Sequence, residues 1–119
     1  MTNAGYAGGI FGENDAALEF EKFNNSGTIK GNGWIGGIIG YNNGGAIKNS
    51  YNTGVVAGTG AGALQLLAGG IVGNNNSGSI TNVYNTGAVS ADKGTSTKTC
   101  FAGGIVAGNK GPIKNAYNM

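Results

Sequence analysis

The chain has 119 residues and a net charge of +2, with 26 Gly, 10% charged residues and 39% hydrophobic residues. This length fits one domain, and the low charge together with the apolar content excludes the composition of a disordered chain. Every basic residue is Lys and no His is present, so we expect no nucleic-acid-binding surface. No apolar run approaches the roughly 18 residues of a membrane span, and we expect no membrane insertion.

The first predicted element of each unit is a short apolar strand at a Gly-Gly-Ile triplet. The triplets are spaced 28, 33 and 34 residues apart and begin at Gly8, Gly36, Gly69 and Gly103. A recurrence at about 20 to 50 residues is typical of a repeat architecture. We therefore predict a single domain, 1–119, divided into repeats at about 5–33, 34–66, 67–100 and 101–119.

The second predicted element is a strand with one buried face. Ile47, Asn49 and Tyr51 alternate with more polar neighbours, which is the period of two expected of a half-buried strand. The same phrase returns in the next two units, at 80–87 and 113–118. A third, weaker strand is predicted after it, at 55–58 and again at 88–91.

These elements predict an all-β fold, a parallel β-solenoid of about four coils with three short strands per coil. Each coil has too little apolar surface to fold alone, whereas coils stacked at about 4.8 Å bury a continuous core. Stacking in register would align identical residues in ladders, with amide side chains bonding from coil to coil as in cross-β stacks. The expected ladders are Ile38, Ile71 and Ile105; Asn49, Asn82 and Asn115; and Tyr51, Tyr84 and Tyr117.

The units GGIIGYNNGGAIKNSYNTGVV and GGIVGNNNSGSITNVYNTGAV resemble the GLUG motif repeats of bacterial surface proteins, including immunoglobulin A peptidases. The resemblance covers two full units, part of the fourth and the GGIFG of a divergent first unit. It implies a non-catalytic β-solenoid at the cell surface or outside the cell, and it carries over no catalytic residue. The first unit departs from the pattern because ALEFEKFNNSG lacks the Asn-x-Tyr.

Four of the five acidic residues lie close together in the first unit, at Glu13, Asp15, Glu19 and Glu21. Carboxylates at alternate strand positions could form a cation site or an acid/base pair. A solvated polar face on the terminal coil is the other interpretation, and we favour it because no ligand-dense Asp-rich loop is present. We therefore expect no metal site and no cofactor.

Other patterns have plain structural explanations. The GNGWIG sequence at 31–36 fits a dinucleotide-binding motif only by chance, because no helix is predicted after it. Cys100 falls at the repeat position of Leu66 and is expected to be a small buried hydrophobe without a His to activate it. For the row of Tyr6, Trp34, Leu67 and Phe101 we favour a core or corner ladder over a glycan-binding face. For Thr95, Thr97 and Thr99 we favour an exposed loop over an ice-binding face, because the equivalent segment at 61–65 has no such row.

The two ends of the sequence differ in charge, since the acidic first unit contrasts with Lys110 and Lys114 near the C-terminus. The sequence stops in mid-repeat, which suggests either head-to-tail stacking of copies into fibres or a fragment of a longer repeat array. The predicted function is a non-catalytic structural or adhesive module of an extracellular or cell-surface assembly. The alternative is a glycan- or ice-binding solenoid, and a β-helix carbohydrate enzyme is disfavoured because the later units offer only Asp92 as an acid.

Overall fold

The computed structural model describes residues 2–3, 5–59, 65–92, 94 and 99–119, and all structural statements concern these residues. Thr95 and Thr97 of the proposed Thr row lie outside them. Within them the chain is all-β, and no helix is long and apolar enough to cross a membrane.

The strands follow one another as successive coils. The N-terminal strand and the first coil comprise β1 (Thr2–Asn3), β2 (Tyr6–Gly8), β3 (Phe11–Asn14), β4 (Glu19–Glu21), β5 (Asn24–Asn25) and β6 (Ile29–Gly31). The second coil comprises β7 (Trp34–Gly36), β8 (Ile39–Asn43), β9 (Ala46–Asn52) and β10 (Val56–Thr59). The third comprises β11 (Leu66–Gly69), β12 (Val72–Ser77), β13 (Ile80–Asn85) and β14 (Val89–Asp92). The fourth comprises β15 (Cys100–Gly103), β16 (Val106–Asn109) and β17 (Ile113–Asn118).

Corresponding strands of successive coils pair in parallel and form four sheets. Sheet I has the order β1-β6-β10-β14, sheet II β2-β7-β11-β15, sheet III β3-β8-β12-β16 and sheet IV β4-β9-β13-β17, with β5 also pairing with β9. Every pair is parallel and connects neighbouring coils, for example Ile47 with Ile80 and Ile80 with Ile113. The predicted parallel β-solenoid of stacked coils is thus confirmed.

The number of strands per coil differs from the prediction of three, because the second and third coils have four strands each and the first coil has an additional short strand, β5. The apolar Gly-Gly-Ile phrase is not one strand but a corner between two. In the second coil β7 ends at Gly36 and β8 begins at Ile39, and the corner residues Gly37 and Ile38 donate backbone hydrogen bonds to Gly69 and Ile71 of the next coil. Glycine permits this corner because a Cβ on Gly37 would overlap the carbonyl oxygen of Gly70 and the Asn52 side chain.

The interior of the solenoid contains two apolar clusters. One fills the space beneath sheets III and IV and is formed by Phe20, Ile38, Ile39, Ile47, Ile71, Val72, Ile80 and Val83. The other lies beneath sheets I and II and is formed by Ala7, Ile29, Ile35, Val56 and Ala68. Burial is greatest in the second and third coils because only these have a coil on each side, and apolar burial of this kind is the main stabilising term.

Cys100 occupies the predicted repeat position, since it pairs with Leu66 across sheet II. Its predicted burial is wrong: Leu66 is 2% exposed, whereas Cys100 is half-buried. The reason is that β15 is the last strand of sheet II and has a neighbour on one side only.

Candidate functional site

The surfaces with functional potential are the ladders that connect the coils and the faces at the two ends of the solenoid. The predicted Ile ladder lies in the core: Ile38 and Ile71 are fully buried, and Ile105 is half-buried and packs against the same cluster. The backbone amide of Ile38 donates to Ile71, and that of Ile71 donates to Ile105. This ladder therefore contributes both apolar packing and backbone pairing at the coil corners.

The predicted Asn ladder lies on the outer surface of sheet IV. Asn82 Nδ2 donates to Asn49 Oδ1 over 3.1 Å, and Asn115 Nδ2 donates to Asn82 Oδ1 over 2.9 Å. All three residues have a left-handed backbone, with φ of 51°, 54° and 51°, which Asn tolerates better than most residues. In the first coil this Asn ladder ends at the Glu21 carboxylate, since Asn49 Nδ2 donates to Glu21 Oε1 over 3.1 Å.

The Tyr ladder is a regular ring stack on sheet IV. Tyr51 and Tyr84 have centroids 4.9 Å apart with planes 2° from parallel, and Tyr84 and Tyr117 have centroids 5.4 Å apart at 10°. Tyr117, at the end of the stack, is 53% exposed. One face of this stack is therefore open at the fourth coil.

Two further Asn ladders, which the sequence analysis missed, lie inside the solenoid. The first runs through all four coils: Asn25 donates to Asn52, Asn52 to Asn85 and Asn85 to Asn118, over 2.7–2.8 Å. Asn52 and Asn85 are fully buried. The first three amides also close their own turns, as when Asn52 Nδ2 donates to Gly54 O and Asn52 Oδ1 accepts from Gly54 N.

The second buried ladder lies between sheets III and IV. Asn14 donates to Asn42, Asn42 to Asn75 and Asn75 to Asn109, each over 2.9 Å. Asn42 and Asn75 are fully buried. Because buried amides are costly unless they are hydrogen-bonded, these ladders fix the register of the coils as well as stabilising them.

The sequence did contain a signal for both ladders. An Asn two residues before Gly recurs at Asn25, Asn52, Asn85 and Asn109, and Asn42 and Asn75 are separated by the same 33 positions as the Tyr residues. Because Asn and Gly are both typical turn residues, the pattern alone indicates a turn and not a buried contact.

The predicted aromatic row aligns as expected in sheet II, where Tyr6 pairs with Trp34, Trp34 with Leu67 and Leu67 with Phe101. Its members differ in environment: Leu67 is 4% exposed and Phe101 is 53% exposed. Tyr6 stacks on Trp34 with centroids 5.0 Å apart. The row is therefore not one continuous exposed platform.

A three-ring cluster forms instead where Tyr41 of sheet III joins Tyr6 and Trp34. The Tyr41 ring lies 5.2 Å from Tyr6 and 4.9 Å from Trp34. Burial raises the pKa of Tyr41, and nearby Tyr6, Asp15 and Glu13 raise it further. Among the described residues, two buried side-chain polar atoms lack a hydrogen-bond partner: Asn32 Oδ1, just before β7, and Trp34 Nε1, on the first residue of β7.

The four acidic side chains of the first coil are all exposed and do not converge on one point. Asp15 accepts from Asn43 Nδ2 over 2.6 Å, and Glu19 forms an ion pair of 3.1 Å with Lys48. Glu21 accepts from Asn49, and Glu13 pairs through its backbone with Tyr41. In the described part of the chain no group of three or more His, Cys, Asp and Glu side chains could hold a metal ion.

Lys110 and Lys114 lie on the fourth coil and are exposed. The structure does not bring them to the acidic residues within one chain, because the second and third coils lie between. The four acidic side chains and these two lysines thus lie in the first and last coils of the stack.

Comparison with known proteins gives one match. No curated protein and no solved structure matches the chain. The family model described as the GLUG motif matches residues 65–90, which span β11, β12, β13 and the start of β14. The resemblance found in the repeat phrases is thus confirmed for the third coil, and the chain contains a GLUG motif.

Proposed function

We propose that this chain is a non-catalytic structural repeat module of an extracellular or cell-surface assembly, in which stacked coils act as one stiff unit. The observation that supports this role best is the pair of buried Asn ladders, each of which connects all four coils without interruption. Separating any coil from its neighbour would break one amide–amide hydrogen bond in each ladder, each with a net contribution of about 1 kcal/mol.

A structural role also accounts for the polar residues that could otherwise suggest catalysis. Asp15, Glu19 and Glu21 each contact a side chain of the second coil. Their carboxylates therefore connect two coils on the outside of the solenoid. An acid/base pair would instead need carboxylates converging on a common cleft.

The proposed location rests on the motif. The repeat units of this chain resemble the GLUG motif repeats of bacterial surface proteins, and residues 65–90 match the model of this motif. Labelling of intact cells of the source organism with an antibody to this chain tests the location, with a cytoplasmic protein as the control. Staining that appears only after the cells are permeabilised would contradict it.

Single-molecule force extension of the 119-residue chain between two handles tests the mechanical role. If the coils act as one unit, the chain will unfold in one event with a contour-length gain approaching about 400 Å. Gradual lengthening without a force peak, or a series of small steps at low force, would show that the coils separate individually and that the proposed role is wrong.

A second candidate function, a glycan-binding face, is supported by the cluster of Tyr6, Trp34 and Tyr41. Aromatic rings can stack on sugars, and Tyr6, Trp34 and Tyr41 have ring centroids within about 5 Å of one another. Binding on a glycan array that is lost in Trp34→Ala and retained in Phe101→Ala would favour this function.

A further inference from the structure

We infer that the exposed face of the fourth coil is a docking surface for the first coil of a second copy of this chain, joined head to tail in the register of the repeat. The inference rests on the proposed structural role and specifies its partner. We place the first coil of a second copy on the fourth coil, in the same register that joins neighbouring coils within the chain. The inference follows from the residues that then face each other.

The apolar positions of the two faces match. The pairing registers place Phe101, Val106 and Ile113 of the fourth coil at the positions that Tyr6, Phe11 and Phe20 hold in the first. Phe101 is 53% exposed, and Phe11 is 38% exposed on the opposite face. Stacking would cover both, with Tyr6 of the second copy over Phe101 as Tyr6 lies over Trp34 within the chain.

The charged positions are complementary. One register position is occupied, from the first coil to the fourth, by Glu21, Lys48, Thr81 and Lys114. Asp15 and Lys110 share another, because each follows the aligned residues Asn14 and Asn109. A second copy stacked in this register puts Glu21 beside Lys114 and Asp15 beside Lys110, and opposite charges on facing strand positions attract each other.

The buried Asn ladders have a direction that the second copy would continue. In both ladders Nδ2 of each coil donates to Oδ1 of the next coil, ending at Asn109 and Asn118. Among the described residues, Asn109 Nδ2 donates only to Gly111 O of its own turn. Its second hydrogen is available for Asn14 Oδ1 of the second copy, and Asn118 is placed to donate to Asn25 in the same way.

A groove at the corner of the fourth coil lies beside the place that the first strand of a second copy would take. The groove has a volume of about 410 Å³ and lies between β14, β15 and the end of β17, with Val89, Gly103 and Asn118 among its lining residues. The next two residues of β14 after this lining, Ser90 and Ala91, are the partners expected for that strand in sheet I. In the same sheet β1 pairs with Lys30 and Gly31, which align with Ser90 and Ala91 of β14.

A second copy satisfies the aromatic, charged, amide and strand positions together, so we assign it as the occupant. The two faces are different, and a contact between different faces propagates as a linear stack unless it closes. The predicted assembly is a filament with the cross-section of the single solenoid. Its length should increase with protein concentration.

Sedimentation velocity and light scattering over a concentration series test this assignment on the purified 119-residue chain. The wild type should show a mass that rises with concentration from its monomer mass of 11.7 kDa. The variant K110E/K114E places like charges in both pairs and should need about tenfold more protein for half-assembly. The fourfold variant D15K/E21K/K110E/K114E retains the wild-type net charge with both pairs reversed, and assembly should return towards the wild-type concentration.

Three results would overturn the inference: a wild type that stays monomeric, a discrete dimer that does not grow, or equal assembly of the wild type and K110E/K114E. Thermal unfolding of each variant shows whether it is folded, and the exposed positions of Lys110 and Lys114 predict little change. Because the force experiment measures one chain, a monomeric wild type would reject the second-copy contact and leave the proposed structural role to be judged separately.

Discussion

Replacement of Asn52 by Ala is predicted to destabilise the solenoid more than any single hydrogen-bond deletion on its surface. Asn52 is fully buried and its side chain takes part in four hydrogen bonds. Ala removes all four and leaves both backbone groups of Gly54 without their side-chain partner. One amide hydrogen of Asn25 also loses its acceptor.

The magnitude follows from these contacts. Each bond contributes a net of about 1 kcal/mol, and each polar group left buried and unpaired adds a cost of about 1–3 kcal/mol. Because relaxation and water recover part of this cost, we expect a loss of about 3–5 kcal/mol, against a total stability of roughly 5–15 kcal/mol. For a chain of this size that is a decrease in Tm of roughly 10–20 °C.

Urea unfolding followed by circular dichroism measures the loss, with Asn76→Ala as the matched control. Asn76 is in the third coil, is partly exposed and donates one side-chain bond, to Asn43 over 2.9 Å. Its deletion should cost about 1 kcal/mol or less. If the two variants lose similar stability, or if Asn52→Ala loses less than about 1 kcal/mol, the argument that buried ladders hold the coils together is wrong.

The remaining predictions concern a corner, a left-handed position and the half-buried phenol of Tyr41. Gly70→Ala should lower the free energy of unfolding by more than about 2 kcal/mol, because the added Cβ would overlap the carbonyl oxygen of Gly104. The control is Gly27→Ala, which should change the urea midpoint little because its Cβ would meet only Asn25 Oδ1, at 3.6 Å. At Asn82, with φ of 54°, Gly should be tolerated better than Ala by about 1 kcal/mol, and equal Tm values would contradict a strained backbone there. The raised pKa of Tyr41 means that the folded chain holds this proton more tightly than the unfolded chain. Stability should therefore fall as the pH rises above about 10, and urea unfolding at pH about 8 and about 11 should show a smaller fall in Tyr41→Phe than in the wild type.

The stacking of the coils was predictable because identical residues recur at a regular spacing in the sequence. The Tyr residues separated by 33 positions align only if the coils have equal length, and the predicted burial of Ile47 is correct. The predicted placement of Asn49 and Tyr51 on the same buried face is wrong, because Asn49 is exposed and the buried residues that follow are Ser50 and Asn52. The number of strands was not predictable in the same way. A Gly-Gly pair is compatible with a strand end, a bulge or a corner, and the corner at Gly37 becomes necessary only when the neighbouring coil is in place.

The buried ladders could not be separated from ordinary turns by the sequence. Asn52 and Asn49 are both ladder residues three positions apart, yet one is fully buried and the other lies on the surface. Their difference depends on the left-handed residue at Asn49, which shifts the alternation of β9 by one position. Strand periodicity assumes a regular backbone and therefore assigns the later residues to the wrong face.

Hydrogen exchange of the Asn side-chain amides, followed by NMR on the intact chain, tests the central claim most directly. If the buried ladders join the coils into one unit, the Nδ2 protons of Asn42, Asn52 and Asn85 will exchange as slowly as the most protected backbone amides, whereas those of Asn82 will exchange rapidly. Equally rapid exchange at all four residues would contradict the claim, because it would show that water reaches the ladders without unfolding of the solenoid.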